Sequence, residues 1–597
     1  MRCTGYIFGQ CKAQATEQNG DGARDDQSCG QLRYRTSPLS AVNLSPRCTI
    51  ITPCFNDGAF LDELRRSLTG GEPVPHVIVD DGSTDPVTLD ILASMEAHPD
   101  VTLLRTAHGG PAAARYLALR AVETRYVMPV DAHDVVMPGA IRDLADVLDR
   151  EPELSVVWGD NIIFGSLLAH LPRAADLDAW WLTFLNEVGV GLMGRTDVLL
   201  SADWDDRSGC GDWGTALSLV EAGARGRNIG RVTYGYRSDA RPRRLEDAEE
   251  RDEENVRNLS RRYGSAFAQR KDARRRSSAP LSVRVIGTTV AAIPGLSRSS
   301  QHRWVNRLSA CVWRRRWIHH PGDLPRHPLS RRFRRPHTAS AVGPMALGLH
   351  EVIPNASHIV ILSPHRDDAI LSAFALLDDP TVTAEVVNVF TEPTDSADWL
   401  ERVGAASAEQ EAEVRQIEDQ RALEGRASIV ELQCGPQTSE SELNATIVRL
   451  LDRSRHTHAD GLVIAAPAGA GHKGSVPFSA RVGPMARMFG TATSVRHNDH
   501  LLVRNAVVRW ATINSDVTTI FYDELPYHWA KSALRDADRD GLFHLAVDTT
   551  TKAAAVRCYA SQTNSLFTTE QLARLERWLP TVESYGTTSF GDYDRTE

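Results

Sequence analysis

His358-Ile359-Val360-Ile361-Leu362-Ser363-Pro364-His365-Arg366-Asp367-Asp368-Ala369-Ile370-Leu371-Ser372 runs from an apolar segment of strand length, through a Ser-Pro turn crowded with ionisable groups, into the opening of a helix. The scheme repeats at Ala384–Phe390 and at Gly461–Ala465, each a short apolar run separated from the next by helical patterning. The first half of the chain is built alike, with strands expected at Cys48–Pro53, His76–Val79, Val101–Leu104 and Tyr126–Val130. Strands alternating with helices argue for α/β construction. Both regions are therefore expected to be doubly wound sheets with their sites at the carboxyl ends of strands.

A chain of 597 residues exceeds what one hydrophobic core usually organises, so two domains are expected. The reading divides it into a disordered leader at 1–45, a first domain at 46–240, a basic linker at 241–345 and a second domain at 346–597. A composition of 42% hydrophobic and 24% charged residues describes an ordinary globular protein, and a formal charge of -10 argues against a nucleic-acid binder. The nine cysteines include no C-x-x-C pair, the leader has no apolar h-region, and no stretch reaches the ~18 apolar residues that span a bilayer. A cytoplasmic protein with reduced thiols is the expectation.

In the first domain Asp80-Asp81-Gly82-Ser83-Thr84-Asp85 follows a strand, His108-Gly109-Gly110-Pro111 through Arg115 opens a helix, and the fourth strand ends in Asp131-Ala132-His133-Asp134. In that order these motifs resemble the family 2 glycosyltransferases of the GT-A (Rossmann-like) fold, over about 190 residues. The resemblance implies a nucleotide-sugar donor, a glycosyl acceptor and a divalent cation, Mn²⁺ or Mg²⁺, to neutralise the departing diphosphate. It places Asp80 and Asp81 against the base and ribose, Arg115 near the diphosphate, and Asp131 with His133 on the cation. The family pattern is D-x-D. Here imidazole stands third, an acceptable Mn²⁺ ligand, with Asp134 as the alternative. Asp212, in Gly211-Asp212-Trp213, falls where the family has an E-D pair, which implies the general base; spacing alone reads it as a helix N-cap.

The quoted second-domain segment, with Arg496-His497-Asn498-Asp499-His500, resembles the P-H-x-D-D and H-x-D-H motifs of the PIG-L/LmbE-type zinc deacetylases. The likeness extends to Arg415–Asp419, Phe521–Tyr527 and Tyr559–Gln562, and implies an α/β domain with a largely parallel sheet. It implies Zn²⁺ on His365, Asp368 and His500, Asp367 as the general base, and His497 stabilising the oxyanion or protonating the leaving amine. His472 is read as a loop residue near the site. Two histidines and one carboxylate leave zinc a coordination position for water, the requirement of amide hydrolysis.

Together the sites suggest transfer of an N-acetylated amino sugar, N-acetylglucosamine from its uridine diphosphate donor, and removal of its acetyl group. The alternative, motivated by His133 and Gly211, is a deacetylase whose first domain only binds sugar. Between the domains, residues 251–340 hold 21 Lys/Arg against 5 Asp/Glu, including Arg274–Arg276, Arg314–Arg316 and Arg331–Arg335, with Trp304, Trp313 and Trp317 interleaved. Either this is a solvated helical linker packing its tryptophans on one domain, or it makes peripheral contact with anionic lipid or a phosphorylated acceptor.

Overall fold

A computed structural model describes residues 45–68, 73–165, 168–171, 173–186, 188–204, 211–238, 254–279, 281–313, 344–393, 400, 405–435, 437–469, 476–477, 495–496, 498–525, 541–567 and 569–587. The leader up to residue 44, His472, His497 and the arginine runs at 314–316 and 331–335 lie outside the described residues.

In the first domain, β1 (Cys48–Cys54), β2 (His76–Asp80), β3 (Val101–Arg105), β4 (Tyr126–Pro129), β5 (Val135–Val136), β6 (Val156–Phe164), β7 (Ala169–Leu171), β8 (Met193–Arg195) and β9 (Gly226–Arg237) form one mixed sheet. Its order is β3-β2-β1-β4-β8-β6-β9-β5, with β7 on β6. The first four strands are parallel, and all of β1 is buried except the partly exposed Pro53, which is why its sequence is continuously apolar or small rather than alternating. The chain winds outward from β1 to β3 and then restarts on the other side with β4. The gap between the carboxyl ends of β1 and β4 is therefore a topological switch point, where open α/β sheets place their ligands.

The second domain repeats the plan. β10 (Met345–Ala346), β11 (His358–Ser363), β12 (Thr383–Phe390), β13 (Ala427–Cys434), β14 (Leu462–Pro467), β17 (Thr518–Tyr522), β18 (Leu542–Ala546) and β19 (Val582–Thr587) give the order β10-β18-β19-β17-β14-β11-β12-β13. Only β19 runs antiparallel to its neighbours, and β15 (Val476–Pro477) pairs apart with β16 (Val495–Arg496). The switch point here lies between β11 and β14. The outer helix Glu440–Thr457 begins in a capping box in which Ser439 and Glu442 satisfy each other's backbone N–H groups.

The domains share buried surface. Met345, Ala546 and Val582 join the apolar cluster around Ala140, Leu144 and Val232 of the first domain. Beside it Arg231 of β9 pairs with Asp143, donates to the Thr550 hydroxyl at 2.7 Å and lies 3.5 Å from Asp548. Arg142 reaches the other Asp548 oxygen at 2.9 Å. Gly139 has φ +73°, and a Cβ there would run into the Asp548 carboxylate, so both the turn and the close approach require glycine.

The described residues between 254 and 313 are mostly helical and pack on the first domain. Arg270 lies buried 4.0 Å over the Phe184 ring and donates to Thr183 O and Oγ1, both at 2.7 Å, and to Gln301 at 2.8 Å. Helices Leu281–Ala291 and Arg298–Trp313 pack on each other, and their Val283, Val290 and Val305 bury against Trp180, Trp181 and Phe184. Trp304 points outward and is exposed.

Candidate active sites

At the first switch point the three aspartates of the Asp80–Asp85 turn do different work. Asp80 closes the turn by accepting from Ser83 N at 2.8 Å, and Asp85 caps the following helix by accepting from Thr88 N at 2.9 Å. Asp81 takes Gly109 N at 2.8 Å on one oxygen and Gly110 N at 2.9 Å on the other, with His108 Nδ1 also 2.9 Å away. That carboxylate thus ties the end of β2 to the glycine turn, whose Gly110 sits at φ +88° before Pro111 opens the helix. Asn56, two residues past the end of β1, fixes the same turn by accepting from Thr84 N and Asp85 N.

The open pocket so formed is lined by Phe55, Asp57, Asp81, His108, Asp131 and His133 among others. Phe55 and His108 stack at 4.1 Å. Asp131, His133 and Asp134 present donor atoms within 4.8 Å of one another, the geometry a divalent cation needs. Asp134 accepts from Tyr234 Oη at 2.7 Å and from Arg237 N at 2.8 Å, and burial pushes its carboxyl up. Those bonds anchor the motif to β9 and leave Asp131 and His133 as the members facing the pocket. Burial disfavours a charged His133, but Asp57, 3.5 Å from its Nδ1, and the neighbouring aspartates raise its affinity for a proton. Buried Arg115 pairs with Asp131 and stands 3.8 Å from the half-exposed Asp212, which lies in the first turn of helix Gly211–Glu221. Arg115, Asp131 and Asp212 thus meet, although 97 residues separate the first from the last.

At the second switch point, His365, Asp368 and His500 bring their donor atoms within 4.8 Å of one another. Asp368 accepts from His365 N at 2.8 Å and lies 3.2 Å from its Nδ1 and 3.5 Å from His500 Nε2. His365 Nε2 faces Asp499 at 3.2 Å. The fully buried His500 pairs through Nδ1 with Glu524, just beyond β17, which turns Nε2 toward the cluster. A metal-ligating histidine is commonly oriented by such a carboxylate. Burial opposes charge on His365, yet the carboxylates of Asp368, Asp499 and Asp367 push its imidazolium up to about 9. Asp368 is held well below the usual carboxylate range despite its burial, chiefly by His500 and His365. A donor set that so favours positive charge at its centre fits a bound divalent cation, and two imidazoles with one carboxylate suit zinc.

Asp367 is not a member of this donor set, and Arg415 lies 3.7 Å from its Oδ1. Burial and the neighbouring Asp368 raise its proton affinity, against the pull of Arg415. Behind it Tyr559 donates to Asp419 at 2.6 Å and to Arg366 O at 3.1 Å, Asn388 donates to Asp419 at 2.7 Å, and Glu418 accepts from Ser561 N and Oγ. The segments around 365, 415, 500, 524 and 559 therefore converge on one place. Glu524, Asp499 and Arg415 have no role assigned from the sequence, although all three stand within the motifs that carry the resemblance. Their signal was a carboxylate or guanidinium adjoining a strand-end or helix motif with no apolar-face explanation.

The class this architecture defines is a two-domain α/β chain with one donor cluster at each switch point. The sequence model described as glycosyl transferase family 2 matches residues 49–190. The poly(ribitol-phosphate) beta-N-acetylglucosaminyltransferase TarS of Staphylococcus aureus is 32% identical over 108 residues, 17% of this chain and 19% of TarS, so the match spans about a fifth of that relative. Among solved structures, the A40926 pseudoaglycone deacetylase is 19% identical with a TM-score of 0.29, covering 39% of this chain and 97% of its own. Residues 1–349 of S. aureus TarS give 16% identity and a TM-score of 0.28, covering 45% of this chain and 91% of theirs.

Proposed function

We propose that the chain transfers an N-acetylated amino sugar, N-acetylglucosamine from UDP-N-acetylglucosamine, to an acceptor in its first domain, and hydrolyses an N-acetyl group in its second. The observation that supports this reading best is the coexistence of two unlike donor sets: Asp131 and His133 inside the segment matching glycosyl transferase family 2, and His365, Asp368 and His500 beside a separate buried carboxylate. The named activity of the partial relative supports the choice of sugar.

In the first domain, Asp131 and His133 would hold Mn²⁺ or Mg²⁺, which supplies charge to neutralise the departing diphosphate. Asp80 and Asp81 shape the nucleoside pocket, Arg115 adds a fixed positive charge, and Asp212 takes the proton of the attacking acceptor hydroxyl. In the second domain, His365, Asp368 and His500 would hold Zn²⁺, which supplies a Lewis acid for the amide carbonyl and acidifies water. Asp367 accepts the proton from that water, and its elevated proton affinity lets it hold the proton for the departing amine. His497 is assigned to the oxyanion or the leaving amine by motif alone.

The test is incubation of the purified chain with UDP-N-acetylglucosamine and candidate acceptors, read by mass spectrometry. A product heavier by one N-acetylhexosamine reports transfer, and later loss of an acetyl group reports hydrolysis. Acetyl loss without transfer, from a preformed glycoside, would instead favour a first domain that only binds sugar.

A further inference from the structure

We infer that the helical hairpin 281–313, with the arginine helix preceding it, is a docking surface for an anionic lipid bilayer. Helix Leu281–Ala291 turns Val283, Gly287 and Val290 inward against the first domain, at the i, i+4, i+7 spacing of one helix face. Leu281 and Val285 stand opposite and are exposed, Leu281 by 70%. Six residues, 292–297, then fold the chain back into helix Arg298–Trp313, with Ile293 exposed at the tip. An antiparallel return sets Val285 level with Trp304 and Leu281 level with Leu308, and both of these are exposed as well. Of twelve exposed large hydrophobic side chains among the described residues, five belong to this hairpin, which separates it from the singly scattered apolar residues of an ordinary surface.

Charge says what covers that face. Residues 270–313 contain nine Lys/Arg and one Asp. Lys271, Arg274, Arg275, Arg276 and Arg298 are exposed, and none has a carboxylate within 4.0 Å among the described residues. The sequence at 314–343 adds eight Arg against one Asp, the same sign again. An acidic protein surface would answer the arginines but not the exposed Leu, Val, Ile and Trp of the hairpin that follows them in the chain, and a nucleic acid would leave those apolar side chains in water. A bilayer bearing anionic headgroups answers both at once. Apolar side chains and tryptophan enter the headgroup boundary while arginines meet the phosphates. The inference does not depend on either proposed activity.

The experiment is co-sedimentation of the full chain with vesicles of phosphatidylglycerol and phosphatidylcholine, with phosphatidylcholine alone, and with soluble heparin as a polyanion control. Binding to the anionic vesicles and not the neutral ones is expected, weakening as salt is raised. Combined Arg274→Glu, Arg275→Glu and Arg276→Glu should lower the bound fraction by about tenfold or more. Combined Val285→Ser and Trp304→Ser should lower vesicle binding comparably while leaving heparin binding unchanged. Thermal melting of each variant reports folding, and the wild-type salt and lipid comparison decides even if a variant fails to fold. Absence of wild-type binding to phosphatidylglycerol vesicles at low salt overturns the inference. So does vesicle binding that the apolar variant leaves intact, which would mark a general polyanion surface.

Discussion

Arg231 of β9 donates through Nη1 to the Thr550 hydroxyl at 2.7 Å, joining residues 319 positions apart in the chain. The same guanidinium touches Asp143 on its own domain and Asp548 on the other, so one buried cation is compensated from both sides. A charge this deep is tolerated only when paired and hydrogen-bonded. The described residues from Ser45 onward cluster as one compact unit.

Replacing Asp548 tests that joint. Its side chain caps helix Thr549–Val556 by accepting from Thr550 N and Thr551 N, and it balances Arg142 and Arg231. Loss of the cap costs about 1 kcal/mol, and weakening the compensation of a buried cation raises the expected total for Asp548→Ala to about 2–4 kcal/mol in urea denaturation at neutral pH. Although burial alone would raise it, the Thr551 hydroxyl, Arg231 and Arg142 hold this carboxyl below its ordinary value. Its contribution is therefore fully present above the unfolded carboxylate pKa of about 3.9 and is lost as pH falls through the lower folded value. The stability gap between wild type and variant should close below about pH 4. A gap that persists unchanged in acid would assign the loss to packing.

Glu524 gives a second prediction, because it pairs with the Nδ1 of the candidate ligand His500. Glu524→Gln should keep the fold and weaken zinc retention by about 10- to 100-fold, read by titration against a chelator. Unchanged retention would make Glu524 a purely structural partner.

Asp367 and Asp368 should separate by phenotype. Asn at 368 removes a charged donor and should empty the site in elemental analysis, as should His365→Ala. Asn at 367 should keep the metal and lower deacetylation by about 10² to 10⁴. Exchanged phenotypes would reverse the two roles.

Asp212→Asn should cut sugar transfer by about 10² to 10⁴ while acetyl release from a preformed glycoside continues. Asp212 stands half-exposed beside Arg115 in the domain of the first sheet, whereas the second donor set belongs to the domain of the other sheet. Transfer at the normal rate would exclude it as the base.

The parallel strands were legible because strands buried on both faces read as unbroken apolar runs: Cys48–Cys54, His76–Asp80, His358–Ser363 and Thr383–Phe390 emerge within a residue or two of where they were expected. The mixed half of the first sheet, from β5 to β9, was not. Arg231 and Asn228 interrupt the apolar pattern of β9, and their partners Thr550, Asp548 and Asp160 lie elsewhere in the fold. At the sites, residue types and order pointed to the clusters, while orientation came only with coordinates. Asp81 spends both oxygens on the glycine turn, and Asp134 is taken up by Tyr234 and Arg237. The region 281–313 read as a helical linker packing its tryptophans, whereas Val283, Gly287 and Val290 bury and Trp304 is exposed, because that face reads as buried only with Trp180 beneath it.

The ion cluster at Asp548 also bears on how such chains recombine. A chimera grafting an unrelated partner onto this first half would leave Arg231 with the Asp143 carboxylate and the Pro138 carbonyl but without Asp548 and Thr550, and would open the slot that Gly139 keeps for a foreign carboxylate. Grafts that carry the Asp548-Thr549-Thr550 corner along with their own sheet would keep the seam closed. Shuffling at this boundary is thus constrained by three residues at the head of one helix, whatever chemistry the incoming module performs.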